Sequence, residues 1–296
     1  DYSTYRLGLT GTFIPNNPTD VFSQCKALDS SVLGNSFFRF KNQYCEMGGF
    51  AGKEIVNYKN QEELHDKIES LGIQISSDVL DLPEEVHSYR KCELNKDTKR
   101  TYDELSNEFY SEIDQGEITV ANAMVKLLKL QQLTSGHLKT DNDDVIDYGY
   151  EKYNLLVEMF QEIPKDEPVV VFARFIRDLK NIRQAAEKTG RSSCEMSGRS
   201  NDLQDFKNGD YNVMATQIQS GGEGIDLSRA CYCIYYSIGH SLGQYQQSLR
   251  RVNRPGQTRP VFYYYLIAKD TVDERGYSAL RNKQDVVEYI MNMQKE

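Results

Sequence analysis

The sequence predicts an α/β fold: a parallel sheet covered by helices on both faces, preceded by a mainly helical stretch. Two patterns carry this. From Tyr150 onward, apolar runs of strand length alternate with helical segments, and such alternation buries parallel strands between two helix layers. Between 36 and 140, apolar residues recur instead at spacings of three and four, the period of a helix with one buried face. Composition adds a third observation. A hydrophobic fraction of 39% and a mean hydropathy of −0.63 fit a soluble protein. No apolar run approaches the ~20 residues that span a bilayer.

Taken in order, Leu7-Gly-Leu-Thr-Gly-Thr-Phe-Ile-Pro15 reads as a short strand entering a Thr-Gly-Thr turn, with a helix through Val21 and Phe22 after it. Gln61 to Leu71, Lys96 to Ile113 and Val120 to Leu133 read as helices. Between the first two of these, Asp78 to Pro83 is a break and Glu85 to Leu94 is strand-like. Asp141 to Asp144 reads as an exposed turn. The alternating part then runs helix Tyr150 to Ile163, strand Pro168 to Ala173, helix Ile176 to Thr189, a strand near Ser192 to Met196 and helix Asn201 to Asn208. Strand Asn212 to Thr216, a glycine loop, strand Cys231 to Tyr236, an arginine-bearing helix, strand Val261 to Ala268 and helix Val272 to Asn292 complete it. The tyrosines of Val261 to Tyr265 alternate as a strand with two covered faces requires.

Thirty-five Lys and Arg against 44 Asp and Glu give a net charge of −9, which excludes wrapping a polyanion over the whole surface but allows a local basic groove. Six cysteines include no C-x-x-C pair and have no histidine at zinc spacing, so neither a structural metal nor a disulfide framework is expected. Gly48-Gly-Phe-Ala-Gly-Lys53 imitates a phosphate loop. Its glycine spacing is one residue short and Glu54 stands where a metal-binding hydroxyl belongs, so it reads as a surface loop.

The densest chemistry lies at Gln244 to Gln257. No Gly or Pro interrupts it before Pro255-Gly256, and on the resulting helix Gln247, Arg251 and Arg254 fall at i, i+4 and i+7 on one face. From Ser237 to Arg259 there is no Asp or Glu, so the local sequence offers nothing to neutralise Arg250, Arg251, Arg254 and Arg259. Such a face either meets phosphate, which guanidinium bridges with two parallel hydrogen bonds, or is a solvated basic surface. Upstream, Gln219-Ser-Gly-Gly-Glu-Gly-Ile-Asp-Leu227 is a glycine-rich turn between two apolar runs, where backbone N–H groups can approach an anion.

In this order and about twenty residues apart, the two stretches resemble motifs V and VI of superfamily 2 helicases and translocases of the SWI/SNF type. Leu9-Thr10-Gly11-Thr12 with Pro15 and Asn16 resembles motif III, except that Phe13 replaces the usual proline. Val171 to Arg174 resembles motif IV, and Ser197-Gly198-Arg199 the short DNA-contacting motif that follows. The resemblance implies three regions: residues 1–35 as the end of a first RecA-like lobe, 36–146 as a helical interlobe insertion, and 147–296 as a second RecA-like lobe.

What it implies about function is the C-terminal half of an ATP-dependent motor moving on double-stranded DNA. Arg251 and Arg254 would be catalytic, with Arg254 as an arginine finger on the γ-phosphate. Gln247, Gly222, Gly224 and Asp226 would serve the nucleotide, and Thr10, Arg174, Ser197, Arg199 and Ser220 the DNA. Arg174 also fits a surface ion pair. ATP and Mg2+ would be held mainly by the N-terminal lobe, because only eight residues precede Leu9 and no G-x-x-x-x-G-K-[ST] occurs; residues 1–296 alone are expected to be inactive. The short insertion leans toward a bacterial or phage protein, cytoplasmic there and nuclear in a eukaryote, with no membrane partner. The rival class is a non-catalytic RecA-like protein-interaction module.

Overall fold

The computed structural model describes residues 3, 5–10, 13–14, 17–48, 54–73, 79–115, 120–140, 142, 144–220, 225–239 and 241–291. They divide into two compact units, one made of Asp1–Val79, Ser241–Gly243 and Ala279–Glu296, the other of Leu80–His240 and Gln244–Ser278.

The first unit opens with residues 5–10 in irregular backbone, where Tyr5, Leu7 and Leu9 are exposed. The short strand expected to start at Leu7 does not form over the described residues 5–10. A strand needs a neighbour for its N–H and C=O groups, and among the described residues no strand lies beside this one. The segment is tied down instead by Arg6 Nη1 on Ala27 O (2.8 Å) and Gln24 Nε2 on Phe13 O (2.8 Å). Asn17 and Asp20 form a reciprocal capping box at the turn Pro18–Asp20, which starts helix α1 (Val21–Leu28) where the sequence places it. Helices α2 (Ser30–Leu33) and α3 (Phe37–Tyr44) follow, and Phe22, Phe37, Phe40 and Tyr44 stack into one aromatic cluster. Strands β1 (Cys45–Gly48) and β2 (Glu54–Tyr58) then pair antiparallel, so this part of the expected helical stretch is a hairpin. Helix α4 (Gln61–Glu69) closes the unit's first segment.

The second unit begins with strand β3 (Glu85–Cys92), then helices α5 (Lys96–Gln115) and α6 (Val120–Thr134). A short hairpin, β4 (His137–Lys139) with β5 (Val145–Asp147), leads to helix α7 (Glu151–Glu162), strand β6 (Val169–Ala173) and helix α8 (Ile176–Lys188). Next come β7 (Ser193–Ser197), β8 (Ser200–Asn201), helix α9 (Leu203–Asn208), β9 (Val213–Gln217) and β10 (Tyr232–Tyr235). Helix α10 (Leu242–Val252), β11 (Val261–Ala268) and helix α11 (Val272–Met291) complete the chain.

Seven strands form one sheet in the order β3-β11-β10-β6-β9-β7-β8, parallel except for β8. The central strand β6 is buried along its whole length, as a strand covered on both faces must be. One face packs Leu156 and Phe160 of α7 and Leu179, Ile182 and Ala185 of α8 against Val169, Val171, Ile234 and Leu266. The other face is aromatic: Phe172, Tyr235 and Tyr265 stack in turn, with Tyr245 of α10 and Tyr277 of α11 against them. These tyrosines are sheet packing, as their alternation predicts.

Strand β3 departs from the expected organisation. The sequence reading put it within the helical stretch 36–146, yet residues 85–92 pair in parallel register with 261–268, making β3 an edge of the main sheet. Helices α5 and α6 pack Tyr102, Phe109, Leu130 and Leu133 with Val272 of α11, and the Tyr102 hydroxyl accepts the Val272 N–H at 2.7 Å.

Candidate nucleotide-coupling site and basic groove

Helix α10 takes its orientation from its apolar side. Leu242, Tyr245, Ser248 and Val252 are buried, while Gln247 and Arg250 are exposed and Arg251 and Arg254 lie half-buried at the rim. The helix stops at a turn in which Gly256 adopts φ +106°, a conformation that favours glycine. Gln257 fastens that turn: Nε2 donates to Ser228 O and Ala230 O, both at 2.9 Å, and Oε1 accepts the N–H groups of Thr258 and Arg259.

The segment Ile225–Ser228 is strapped to the end of α10, since Leu227 N donates to Arg251 O at 2.9 Å. Arg254 Nη1 donates to Ile225 O at 3.0 Å, and its Nε lies 4.0 Å from Asp226 Oδ1, with both side chains about a third exposed. Asp226 accepts Ser228 N at 3.0 Å and Ser228 Oγ at 2.7 Å, and faces Lys207 at 3.7 Å. Partial burial raises the Asp226 carboxyl, but the two Ser228 hydrogen bonds with the charges of Arg254 and Lys207 outweigh it and hold the group below its usual range. Asp226 and Arg254 thus meet just past the end of α10, Arg251 is tied to the same segment through its backbone carbonyl, and Gln247 stands further up the helix.

Acidic partners absent from the local sequence arrive from far along the chain. Arg259 meets Glu167 at 2.8 and 2.9 Å, Arg254 faces Asp226, and the charge of Arg250 acts on the Glu85 carboxylate. Gly222 and Gly224 lie outside the described residues. Ser220 ends the turn Ile218–Ser220 after β9, its hydroxyl on Gln217 Oε1 at 3.2 Å.

The chain as a whole has relatives among known proteins. Residues 151–256 match the helicase conserved C-terminal domain family. The chain is 23% identical over 98% of its length to the protein p41 of Acyrthosiphon pisum secondary endosymbiont phage 1, and 25% identical over 95% to an uncharacterized ATP-dependent helicase of Mycoplasma pneumoniae. It is 26% identical over 94% to the Caenorhabditis elegans homolog of SWI/SNF-related matrix-associated actin-dependent regulator of chromatin subfamily A-like protein 1. It spans 65% of the first, 27% of the second and 40% of the third. The fold matches the C-terminal part of the Fun30 ATPase domain with a TM-score of 0.54 at 17% identity, over 72% of this chain and 98% of that one. It also matches the Sulfolobus solfataricus SWI2/SNF2 ATPase core in complex with dsDNA, with a TM-score of 0.53 at 21% identity over 93% and 60%.

The chain is thus similar to the C-terminal helicase region of SWI/SNF-type proteins.

Of the DNA candidates read from the sequence, Arg174, Ser197 and Arg199 are engaged within the second unit. Arg174, at the end of β6, is half-buried; its guanidinium donates to Gln131 Oε1 of α6 and lies 5.6 Å over the Phe175 ring, and burial lowers its pKa. The ion pair that its position also allowed is therefore replaced by a neutral amide acceptor. Ser197 is buried and donates to Glu195 Oε1 at 2.6 Å, while Arg199 grips the same carboxylate from Nε (2.7 Å) and Nη2 (3.1 Å). Thr10 is exposed and belongs to the first unit.

Beside them lies a groove that sequence reasoning missed. A cavity of about 1140 Å3 runs along α8, lined by Lys139, Phe175, Arg177, Lys180, Arg183 and Arg199 among others. Arg177 pairs with Asp147 at 2.6 Å and Arg183 reaches Glu195 at 3.7 Å, whereas Lys180 and Arg183 are exposed at the rim. Spacing by three along α8 was the available signal, since it puts residues 177, 180 and 183 on one side of the helix.

Proposed function

We propose that this chain supplies the second RecA-like lobe of an ATP-driven motor that moves along double-stranded DNA. Arg251 and Arg254 complete the nucleotide pocket of the first lobe, which contributes the phosphate-binding loop and the Mg2+ ligands. The observation that supports this most is the state of Arg254. One guanidinium nitrogen is fixed on Ile225 O, which aims the group, while the carboxylate of Asp226 stays 4.0 Å away with both side chains partly solvated. An exposed contact of that length contributes under about 1 kcal/mol, so phosphate can displace it at little cost. Charge that develops on the transferring γ-phosphoryl group then meets a bidentate donor already in place.

On this reading DNA follows the basic side of α8, where Lys139, Lys180 and Arg183 offer phosphate contacts close to Ser197 and Arg199. Closure of the two lobes in each ATP cycle would shift the second lobe by one step along a strand. Two of the relatives are named as ATP-dependent helicases, and one fold neighbour was solved with dsDNA.

The test is DNA-stimulated ATP turnover by the full-length protein that contains this chain. Arg254→Ala should lower kcat by roughly a thousandfold, the lower end of what such residues contribute, with DNA affinity kept, and residues 1–296 alone should turn over no ATP. Unchanged turnover in Arg254→Ala would identify a RecA-like interaction module instead.

A further inference from the structure

The arginine helix is held at both ends by a chain of hydrogen bonds that meets on one edge strand. Asn253, immediately before Arg254, is 5% exposed, and its Nδ2 donates to Glu85 Oε1 at 2.8 Å and to Pro83 O at 3.2 Å. Glu85 Oε2 lies 3.3 Å from His87 Nε2, and His87 Nδ1 lies 2.7 Å from the Tyr265 hydroxyl. The Tyr265 hydroxyl is 2.6 Å from that of Tyr245, which sits near the start of α10. Tyr263 adds a contact midway, donating to Leu249 O at 2.9 Å.

The proton order follows from the carboxylate, which only accepts. As a neutral imidazole His87 carries its proton on Nε2 to donate to Glu85; Nδ1 then accepts from Tyr265, whose oxygen in turn accepts from Tyr245. Every donor in the series runs toward Glu85. Burial raises the Glu85 carboxyl, yet the hydrogen bonds from His87 and Asn253 and the charge of Arg250 outweigh it and keep the group ionised below its usual range. Stacking of His87 on Tyr263 (5.0 Å) and Tyr265 (5.9 Å) fixes the ring plane that makes both bonds possible.

We propose that Glu85 and His87 are positioning residues: through Asn253 at one end and Tyr265 and Tyr245 at the other, they set how far Arg251 and Arg254 reach from α10. The proposal rests on the motor reading above. Neither Glu85 nor His87 touches nucleotide; they act on kcat alone, since misplacing a catalytic group by about 1 Å costs up to a hundredfold in rate.

The test compares Glu85→Gln, Tyr245→Phe and Arg254→Ala in the full-length protein. Arg90→Gln is the control, because Arg90 lies on the same strand but pairs outward with Glu162 at 2.7 Å. Glu85→Gln should lower kcat about tenfold and Tyr245→Phe about threefold, with KM for ATP within twofold and Tm unchanged, while Arg90→Gln matches the parent. Parental kcat in both Glu85→Gln and Tyr245→Phe, or an equal loss in Arg90→Gln, overturns the proposal. Full turnover in Arg254→Ala would sink the motor reading beneath it, so the two failures are distinguishable.

Discussion

Asp178 and His137 show how burial dominates the other influences on charge within the second unit. The Asp178 carboxylate is fully buried; desolvation pushes its pKa up to about 7 despite hydrogen bonds from Ser237 and the Phe175 backbone. His137, 3.5 Å away, is pulled down to about 4 by burial and by the charge of Arg177. Both are therefore neutral between those values, and the contact has the geometry of an ion pair without the charges. The raised carboxyl contributes stability that is complete below about pH 4 and is lost as pH climbs through about 7. The lowered histidine does the reverse, contributing above about 6.5 and losing it as pH falls through about 4. Thermal unfolding of Asp178→Asn against the parent should show the variant gaining relative Tm from pH 5 to 8; parallel profiles would contradict this assignment. None of it was visible in the sequence, where His137 is one of four scattered histidines. Gln247 and Arg251 were legible on α10 because helical period is a local signal, whereas the helix ends at Val252 and leaves Arg254 in the turn beyond it. The environment of these residues was not legible, because Asp226, Glu85 and Gln257's carbonyl acceptors are brought in by tertiary folding.

Strand and helix periods survive translation from sequence to structure; pairing partners do not. Glu85 to Leu94 reads as a strand from its own residues, yet only the fold reveals that it lies along β11 and supports the arginine helix from there. The stretch at Leu7 carries equally good strand chemistry and forms none, because strand propensity is expressed only against a neighbour. Helix α8 illustrates the converse, a face whose charges were legible one by one but whose groove was not. If that groove carries DNA phosphates, Lys180→Glu with Arg183→Glu should weaken duplex binding and flatten its dependence on log salt by about two, at ~0.9 per phosphate contact. Measuring dissociation constants across a salt series checks this, and an unchanged slope would remove α8 from the DNA track.

At the scale of the molecule, a net charge of −9 coexists with a basic groove because the charges are segregated. Strand order and layer arrangement put Ile225–Ser228, ahead of β10, beside the exit of α10, ahead of β11, so Asp226 and Arg254 meet at the amino ends of these parallel strands. The chain spans 65% of its phage relative and 27% of the mycoplasma helicase. The decisive measurement is a structure of the full-length protein trapped with ADP, aluminium fluoride and duplex DNA. The Arg254 guanidinium should leave Asp226 and stand within about 3 Å of the fluoride that occupies the γ-phosphate position. A guanidinium still resting on Ile225 O and Asp226, with the fluoride contacted by first-lobe residues alone, would contradict the account.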